Sequence, residues 1–308
     1  MNQELFNEIV NNMLNAKLQM KSLIVTHNEV KYKHFFEEEK VNNVRSISKT
    51  MTSLAFGIAM AKGYFKEGVE TYIMPYFADV TITNKENLKY LDKIQIKHLL
   101  TLTFGIDTTI LHKEHIASLE EGANLVEFAL NYPLKYEVGT FFFYNNAPSY
   151  LLSVIIEKEV GMKLSEFFRK EVIEKVEITK FKWSESKQGH SMGCTGMELL
   201  PSDLHKLGEL FLNNGIYNNE QIIPIEWLKE MSKLKVLTPN RFDETRGLPK
   251  YGYGYNMWVC KNDIYYHDGS DGQYMIIIPS KNIVITTMGN QKNMKPIIDC
   301  MRKVFTNY

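Results

Sequence analysis

The hydrophobic pattern of the chain is most distinctive at residues 51–61, where it predicts a helix buried on every side. The residues read Met-Thr-Ser-Leu-Ala-Phe-Gly-Ile-Ala-Met-Ala, without a single charged side chain. A surface helix carries a polar face, so a helix that lacks one is expected in the interior. Residues 1–21 differ, because their apolar positions recur at helical spacing among polar ones and predict an amphipathic helix.

The same periodicities assign the rest of the chain to helices and strands. Further helices are expected at residues 94–102, 119–132, 146–161, 203–212, 224–234 and 294–305. Runs of β-branched and aromatic residues predict strands at residues 22–26, 30–36, 253–260, 274–278 and 283–288, the first two as a hairpin.

Strands near both ends of the chain, with helices between them, predict an α+β fold. We expect residues 1–64 and 181–308 to form an antiparallel sheet flanked by helices. Residues 65–180 are then an inserted, mostly helical domain.

Composition narrows the classes of partner and compartment. Lys plus Arg and Asp plus Glu both number 36 in 308 residues, and this balance argues against a nucleic-acid or anionic-membrane partner. Three widely spaced cysteines argue against a disulfide framework. No apolar run reaches the ~18 residues of a membrane span, and the N-terminus lacks a signal-peptide pattern. We expect a cytoplasmic protein, although a chain trimmed of its leader would look the same.

Candidate chemistry begins at the start of the buried helix, with Ser46 and Lys49. Residues three apart on a helix share a face. Partial burial lowers the pKa of a lysine, and a neutral amine can take the proton of a serine hydroxyl. The alternative is an N-cap serine and a snorkelling lysine. Ser-x-x-Lys also occurs at residues 184–187 and 232–235, in polar surroundings that suit the surface.

A second candidate group is Tyr144 and Asn146, which precede a predicted helix. In an extended segment their side chains point the same way, so a phenol and a carboxamide stand together. They could relay a proton and hold a substrate amide. The alternative is a helix cap by Asn146 and a packed aromatic ring at Tyr144.

A third candidate group is His267-Asp268-Gly269-Ser270-Asp271-Gly272, between two predicted strands. Gly269 would let the backbone approach a ligand closely. The alternative is an ordinary turn, since Asp-Gly pairs are common in turns. His112 and His115 could share a helix face and bind a metal, but no carboxylate at ligand spacing completes a site. We therefore expect no metal and no cofactor.

Taken in order, these three groups resemble the serine β-lactamase and penicillin-binding-protein superfamily, in particular its class C-related, esterase-like branch. His98-Leu-Leu-Thr-Leu-Thr-Phe-Gly105 is similar to the family's Leu-Leu-Thr-x-Thr-Ser-Gly stretch, and residues 201–215 are similar to its helix after the inserted region. The resemblance covers nearly the whole chain. It implies an antiparallel sheet beside a helical domain, with the site in the cleft between them.

The resemblance also implies roles for individual residues. Ser46 would be the nucleophile, Lys49 its proton acceptor and Tyr144 the second acid/base. The backbone N–H groups of Ser46 and Ser270 would form the oxyanion hole. Substrate contacts would come from the groups that these motifs contribute beside the nucleophile: Asn146, His267 and Gly269.

Two departures from the family pattern bear on the substrate. His267 stands where β-lactamases carry lysine, and Asp268 where they carry threonine. An imidazole of ordinary pKa is mostly neutral at pH 7.5 and gains charge toward pH 6. We therefore expect an uncharged ester or amide substrate, and better binding of carboxylates at the lower pH.

Two functions follow from the resemblance. One is a serine hydrolase that forms an acyl-enzyme on a small ester or amide, of the esterase or D-amino-acid peptidase or amidase type. The other is a penicillin-binding or sensor-like module that acylates and does not deacylate. The acyl group, the leaving group and the oligomeric state stay open.

Overall fold

A computed structural model describes residues 1–238, 248, 251–261 and 263–306. Within them lie thirteen strands: β1 (Met20–His27), β2 (Val30–Phe35), β3 (Asn42–Asn43), β4 (Lys182–Trp183), β5 (Met197–Leu199), β6 (Ile216–Tyr217), β7 (Glu220–Gln221), β8 (Val236–Leu237), β9 (Gly252–Tyr253), β10 (Trp258–Val259), β11 (Tyr265–Gly269), β12 (Gln273–Ile278) and β13 (Ile283–Gly289).

The same described residues hold twelve α-helices, several of them a single turn long: α1 (Gln3–Asn15), α2 (Ile47–Ala61), α3 (Leu88–Leu91), α4 (Ile96–Leu100), α5 (Lys113–Ser118), α6 (Leu125–Asn131), α7 (Ala147–Val160), α8 (Leu164–Phe168), α9 (Pro201–Leu212), α10 (Ile225–Met231), α11 (Lys295–Cys300) and α12 (Arg302–Thr306).

The main sheet joins the two ends of the chain. Its strand order is β2-β1-β13-β12-β11-β10-β9-β8, with every neighbouring pair antiparallel. Val25 of β1 lies opposite Ile285 of β13, although 260 positions separate them along the chain. The predicted α+β fold, with a sheet built from both termini, is confirmed.

Both faces of the sheet centre are covered, which explains why β12 and β13 are apolar without alternation. Successive side chains of a strand point to opposite faces. Ile277 and Val284 pack into the core that contains α2 and α9. Ile276 and Ile285 pack into a second core, which contains α1 and α11. Alternate residues therefore face different sets of helices, and both sets must be apolar.

Helix α2 lies where the sheet meets the helical part of the chain. It packs against α7, α8 and α10 and against strands β11 and β12. Thirteen of its residues, from Ile47 to Ala59, are buried. The stretch predicted to be buried, 51–61, is buried as far as Ala59, whereas Met60 is half-buried and Ala61 is exposed. One apolar core runs from α2 through residues 65–180 to β13. The division into two domains stays a prediction.

Several sequence predictions differ from the structure in detail. Residues 253–260 form two short strands, because the chain turns at residues 254–257 and Asn256 there has a φ of +59°. Residues 119–124 are not helical, and the helix predicted at 119–132 begins at Leu125, where Asn124 caps it. Strand β11 carries polar residues and was not predicted from its pattern. In the described part of the chain, no helix has both the length and the apolarity to span a membrane.

Candidate active site

Ser46 lies at the N-terminus of α2, directly after a residue in an unusual backbone conformation. Arg45 has a φ of +57°, in the left-handed region that side chains other than glycine disfavour. The first helical turn is tight, because Ile47, Ser48 and Lys49 donate to the carbonyls of residues 44, 45 and 46. Strained non-glycine backbone clusters at functional sites, so this turn merits a functional explanation.

Lys49 lies one turn into the helix, with only 1% of its surface exposed. Its Nζ donates to Ser46 Oγ at 3.1 Å, to Asn146 Oδ1 at 2.6 Å and to the Cys194 carbonyl at 2.9 Å. A buried ammonium needs such partners, because unpaired buried charge is costly. Lys49 is therefore not a surface lysine. Ser46 makes no side-chain cap bond, so its alternative as an N-cap is also unsupported.

Tyr144 and Asn146 lie at the start of α7, facing the same lysine. Asn146 joins Lys49 to the segment at residue 111, because its Nδ2 donates to the Leu111 carbonyl at 3.0 Å. The Lys49 Nζ lies 5.1 Å from the centroid of the Tyr144 ring. The tyrosine ring is fixed by stacking on Trp258, with centroids 5.5 Å apart and planes 14° apart. Tyr144 and Asn146, which the sequence places side by side, therefore both contact Lys49.

Helix α7 is capped by Asn145 rather than by Asn146. Asn145 is fully buried, and its Oδ1 accepts from the Ala147 N–H at 3.0 Å. Its Nδ2 donates to the Thr108 carbonyl. Because the neighbouring asparagine supplies the cap, the carboxamide of Asn146 is left to contact Lys49.

The segment 191–196, which the sequence analysis missed, supplies the carbonyl that holds Lys49. Trp183 Nε1 donates to the carbonyls of Met192 and Thr195 at 3.1 and 3.0 Å. A Cβ on Gly193 would lie 2.6 Å from the Ser153 Cβ, so only glycine fits between α2 and α7 at this point. The two glycines at 193 and 196 were the only signal of this close approach.

Ser270 and Gly269 lie opposite Ser46, at the end of β11. Ser270 is exposed in the turn to β12, and Arg45 Nη2 lies 3.2 Å from Asp271 Oδ2 across the gap. A Cβ on Gly269 would lie 2.4 Å from the Val44 carbonyl and 2.7 Å from the Arg45 Cβ. The close approach expected at Gly269 is therefore to the chain's own segment that precedes Ser46.

His267 is buried behind the site, where only 2% of its surface is exposed. Its Nδ1 lies 2.6 Å from the Thr50 hydroxyl, which gives its own proton to the Asn256 carbonyl. The ring nitrogen must therefore be the donor, so the neutral imidazole carries its proton on Nδ1. A substrate contact by His267 has no support in this geometry.

Burial also lowers the pKa of His267, to about 3. Desolvation disfavours the charged imidazolium, and the ring packs against Phe211 with centroids 5.0 Å apart. The imidazole is neutral at both pH 7.5 and pH 6. The expectation that it gains charge toward pH 6 was wrong, because a surface pKa was assumed for a buried ring.

These groups meet at a cavity of about 990 Å³. Ser46, Tyr144, Asn146, Ser270 and Asp271 all line it, whereas His267 and Gly269 are not among its described lining residues. Its far wall comes from residues 109–125 and from loop 184–188. A volume of this size accommodates a small organic ligand.

Of the two histidines considered for metal binding, His112 lines the far wall of the cavity and His115 is not among its described lining residues. The ring centroids of His112 and His115 are 5.5 Å apart. Within the described part of the chain, no three His, Cys, Asp or Glu side chains come together as a metal site would require.

A family model described as Beta-lactamase matches residues 22–299. The chain belongs to the beta-lactamase family. The match includes Ser46, Lys49, Tyr144 and the turn after β11, so the groups assembled around the cavity lie inside the shared region. No curated protein matches the sequence significantly.

Solved structures share the fold of this beta-lactamase-family chain. An octameric penicillin-binding protein homologue from Pyrococcus abyssi is 19% identical, with a TM-score of 0.76 over 99% of this chain and 77% of that one. A penicillin-binding protein from Bacillus halodurans is 16% identical, with a TM-score of 0.75 over 96% of this chain and 100% of that one. EstCE1, described as a hydrolase with promiscuous acyltransferase activity, is 16% identical, with a TM-score of 0.76 over 97% and 98%. At these identities the likeness establishes the fold alone.

Proposed function

We propose that this chain is a serine hydrolase that works through an acyl-enzyme intermediate on a small ester or amide. The observation that carries the proposal is the distance of 3.1 Å between Lys49 Nζ and Ser46 Oγ at the edge of the cavity. A nucleophile and its base must lie within hydrogen-bond reach, and these two do.

Three hydrogen-bond partners of Lys49 fit both protonation states that the reaction needs. As an ammonium, Nζ donates three hydrogen bonds, to Ser46, Asn146 and the Cys194 carbonyl. As a neutral amine, it keeps the two bonds to Asn146 and Cys194, and its lone pair accepts the Ser46 proton. One proton therefore moves between Ser46 and Lys49 without leaving a buried polar group unpaired.

In the proposed reaction Ser46 Oγ attacks the substrate carbonyl carbon while its proton passes to Lys49. The carbonyl oxygen becomes an oxyanion, which the N–H groups of Ser46 and Ser270 stabilise. Removing one such donor typically costs about 10²–10³-fold in rate. Tyr144 then protonates the leaving group as its bond to the carbonyl carbon breaks, and it regains a proton from the Lys49 ammonium. In the second half of the reaction water attacks the acyl carbon and gives its proton to the same pair, which returns a proton to Ser46 Oγ as the acid leaves.

The charges beside Ser46 support a preference for substrates without a carboxylate. The residue at the family's lysine position is a buried neutral imidazole, and the Arg45 guanidinium is paired with Asp271. Asn146 would bind the substrate carbonyl or amide, because its Nδ2 has two hydrogens and Leu111 accepts one of them.

A fluorophosphonate probe tests the proposal directly. Wild type should gain one probe mass on the peptide that contains Ser46, and Ser46→Ala should gain none while keeping the wild-type circular dichroism spectrum. Ser232→Ala is the matched control, because it removes a serine from the same four-residue motif and should label normally. Labelling elsewhere, or none in wild type, would refute a Ser46 nucleophile.

Turnover separates the two candidate functions. A panel of p-nitrophenyl esters, D-amino-acid amides and a chromogenic cephalosporin should show sustained hydrolysis of neutral substrates. A stoichiometric burst at Ser46 without further turnover would instead identify the acylating, sensor-like module.

A further inference from the structure

Two charged residues in left-handed backbone conformations flank the proposed oxyanion hole. Arg45, with a φ of +57°, directly precedes Ser46, and Asp271, with a φ of +69°, directly follows Ser270. Their side chains form an ion pair, with Arg45 Nη2 3.2 Å from Asp271 Oδ2. Ser46 and Ser270, which would supply the backbone N–H donors, are therefore each covalently linked to one member of this ion pair.

Hydrogen bonds fix the backbone of Arg45 at both its N–H and its carbonyl. Its N–H donates to Asn43 Oδ1 at 2.8 Å. Its carbonyl accepts from the Ser48 N–H at 3.1 Å and from the Ser48 hydroxyl at 2.7 Å. Neighbouring side chains therefore maintain the strained conformation of Arg45, whatever its own side chain contacts.

The Asp271 side is a turn whose exposed residue is Ser270. The Asp271 carbonyl accepts from the Gln291 N–H at 2.9 Å, and the Ser270 carbonyl accepts from Gln273 Nε2 at 3.0 Å. Both bonds hold the sheet side of the turn. The Arg45–Asp271 ion pair ties the turn to the Ser46 side, where Gly269 allows the two segments to touch.

We propose that the Arg45–Asp271 ion pair positions the Ser270 N–H relative to the Ser46 N–H. This inference rests on the proposed function and assigns both residues a positioning role rather than a contact with the reacting atoms. Exposed ion pairs contribute little to stability, so the effect is expected in the rate. A displacement of about 1 Å at a reacting centre can cost about 10²-fold.

Steady-state kinetics with a neutral ester, p-nitrophenyl acetate, test the inference in the full chain. Arg45→Ala and Asp271→Asn should each lower kcat about tenfold, with KM and the urea unfolding midpoint nearly unchanged. The double variant should be no worse than either single one, because both remove the same contact. Arg45→Lys keeps the charge and should recover most of the loss. Lys31→Ala breaks a comparably exposed pair with Glu209, remote from the cavity, and should change nothing.

The outcomes distinguish this inference from the proposed function. The fluorophosphonate should still label Ser46 to completion in Arg45→Ala, at a rate lowered with kcat. Labelling and kcat at wild-type values in both single variants would overturn the positioning role and leave the nucleophile intact. A loss confined to KM for a carboxylate-bearing ester would also overturn it, because the pair would then contact the substrate. Wild type that never labels at Ser46 would remove the proposed function and this inference with it.

Discussion

The start of α2 and the end of α10 carry the same four-residue motif, Ser-x-x-Lys, with opposite outcomes. At α2, Lys49 is buried and its Nζ contacts Ser46 Oγ. At α10, Ser232 is the C-terminal cap, and its hydroxyl donates to the Lys229 carbonyl at 3.1 Å. Lys235 contacts Glu230 and lies 4.6 Å from the centroid of the Tyr255 ring.

The difference comes from where the motif falls on its helix. Ser46 precedes a helix that continues, so residues three apart share one face and the two side chains meet. Ser232 follows a helix that has ended, so Lys235 leaves in another direction. The hydrogen-bond partners of the two lysines also differ. Lys49 donates to uncharged oxygens, whereas Lys235 contacts the Glu230 carboxylate. A short motif therefore predicts chemistry only together with the helix that follows it.

The largest expected effect comes from replacing the lysine of each Ser-x-x-Lys motif and comparing the two variants. Lys49→Ala should lower the rate of Ser46 acylation about 10³-fold, because it removes the proposed proton acceptor, and Tyr144→Phe should lower that rate well over tenfold. The double variant should be scarcely worse than Lys49→Ala if both act in one proton-transfer unit. Lys235→Ala is the control and should acylate at the wild-type rate. Single losses that add in the double variant would separate the two roles.

A second test acts on the contact between the two helices. Gly57 of α2 lies against Trp227 of α10, where an added Cβ would come within 2.0 Å of the Trp227 Cδ1. The indole cannot retreat easily, because it stacks on Tyr255 and its Nε1 donates to the Ser53 carbonyl at 2.8 Å. Gly57→Ala should therefore lower the free energy of unfolding by about 1–3 kcal/mol, measured in urea.

The matched control for Gly57→Ala shortens the opposing side chain. Trp227→Leu should destabilise on its own, but in its presence Gly57→Ala should cost much less, since the clash is gone. Helix propensity alone favours alanine over glycine by about 1 kcal/mol. A Gly57→Ala protein as stable as wild type would limit the cost of displacing α10 to about 1 kcal/mol, the amount that helix propensity returns.

A third test concerns His267, which bonds to Thr50 on the same helix. Burial lowers the pKa of this imidazole from 6.5 to about 3, so the unfolded chain binds its proton first as pH falls. Its contribution to stability is therefore complete above pH 6.5 and is lost progressively between pH 6.5 and about 3. The free energy of unfolding should fall there by about 1.4 kcal/mol per pH unit for this group.

His267→Gln should remove that part of the slope, measured by urea unfolding between pH 6.5 and 5. His205, whose pKa burial also lowers to about 3, offers a second buried histidine for comparison. Because His267 stays neutral between pH 6 and 7.5, it should not alter the selectivity between neutral and carboxylate-bearing esters over that range. A wild-type slope identical to that of His267→Gln would contradict the buried, neutral imidazole.

The local pattern of the sequence predicted much of the fold. The apolar run of α2 predicted its burial, and the uninterrupted runs of β12 and β13 predicted strands. Both depend on neighbours within a few positions, which share a helix face or alternate across a sheet. The pairing of Ser46 with Lys49 could be predicted for the same reason, since three positions separate them.

The local pattern predicted neither strand β11 nor the break within residues 253–260, because tertiary contacts override weak local preference there. Gly254 is fixed at the turn because a Cβ would lie 2.1 Å from the Met231 carbonyl, on α10. Strand β11 forms although it contains His267, Asp268 and Gly269, because β12 and β10 pair with it on both sides. Its polar residues are buried within the fold, so the alternation of apolar and polar positions that predicts a strand is absent.

By itself, the sequence determined the α+β fold, the buried helix α2 and the family resemblance that pointed to Ser46 and Lys49. Only the tertiary structure decided the acceptors of Lys49, the burial of His267 and the pairing of Arg45 with Asp271. Cys194 lies 145 positions from Lys49, and Asp271 lies 226 positions from Arg45. The physical reason is that spacing along a helix or strand constrains neighbours, whereas the packing of distant segments decides which carbonyl or carboxylate meets a given side chain.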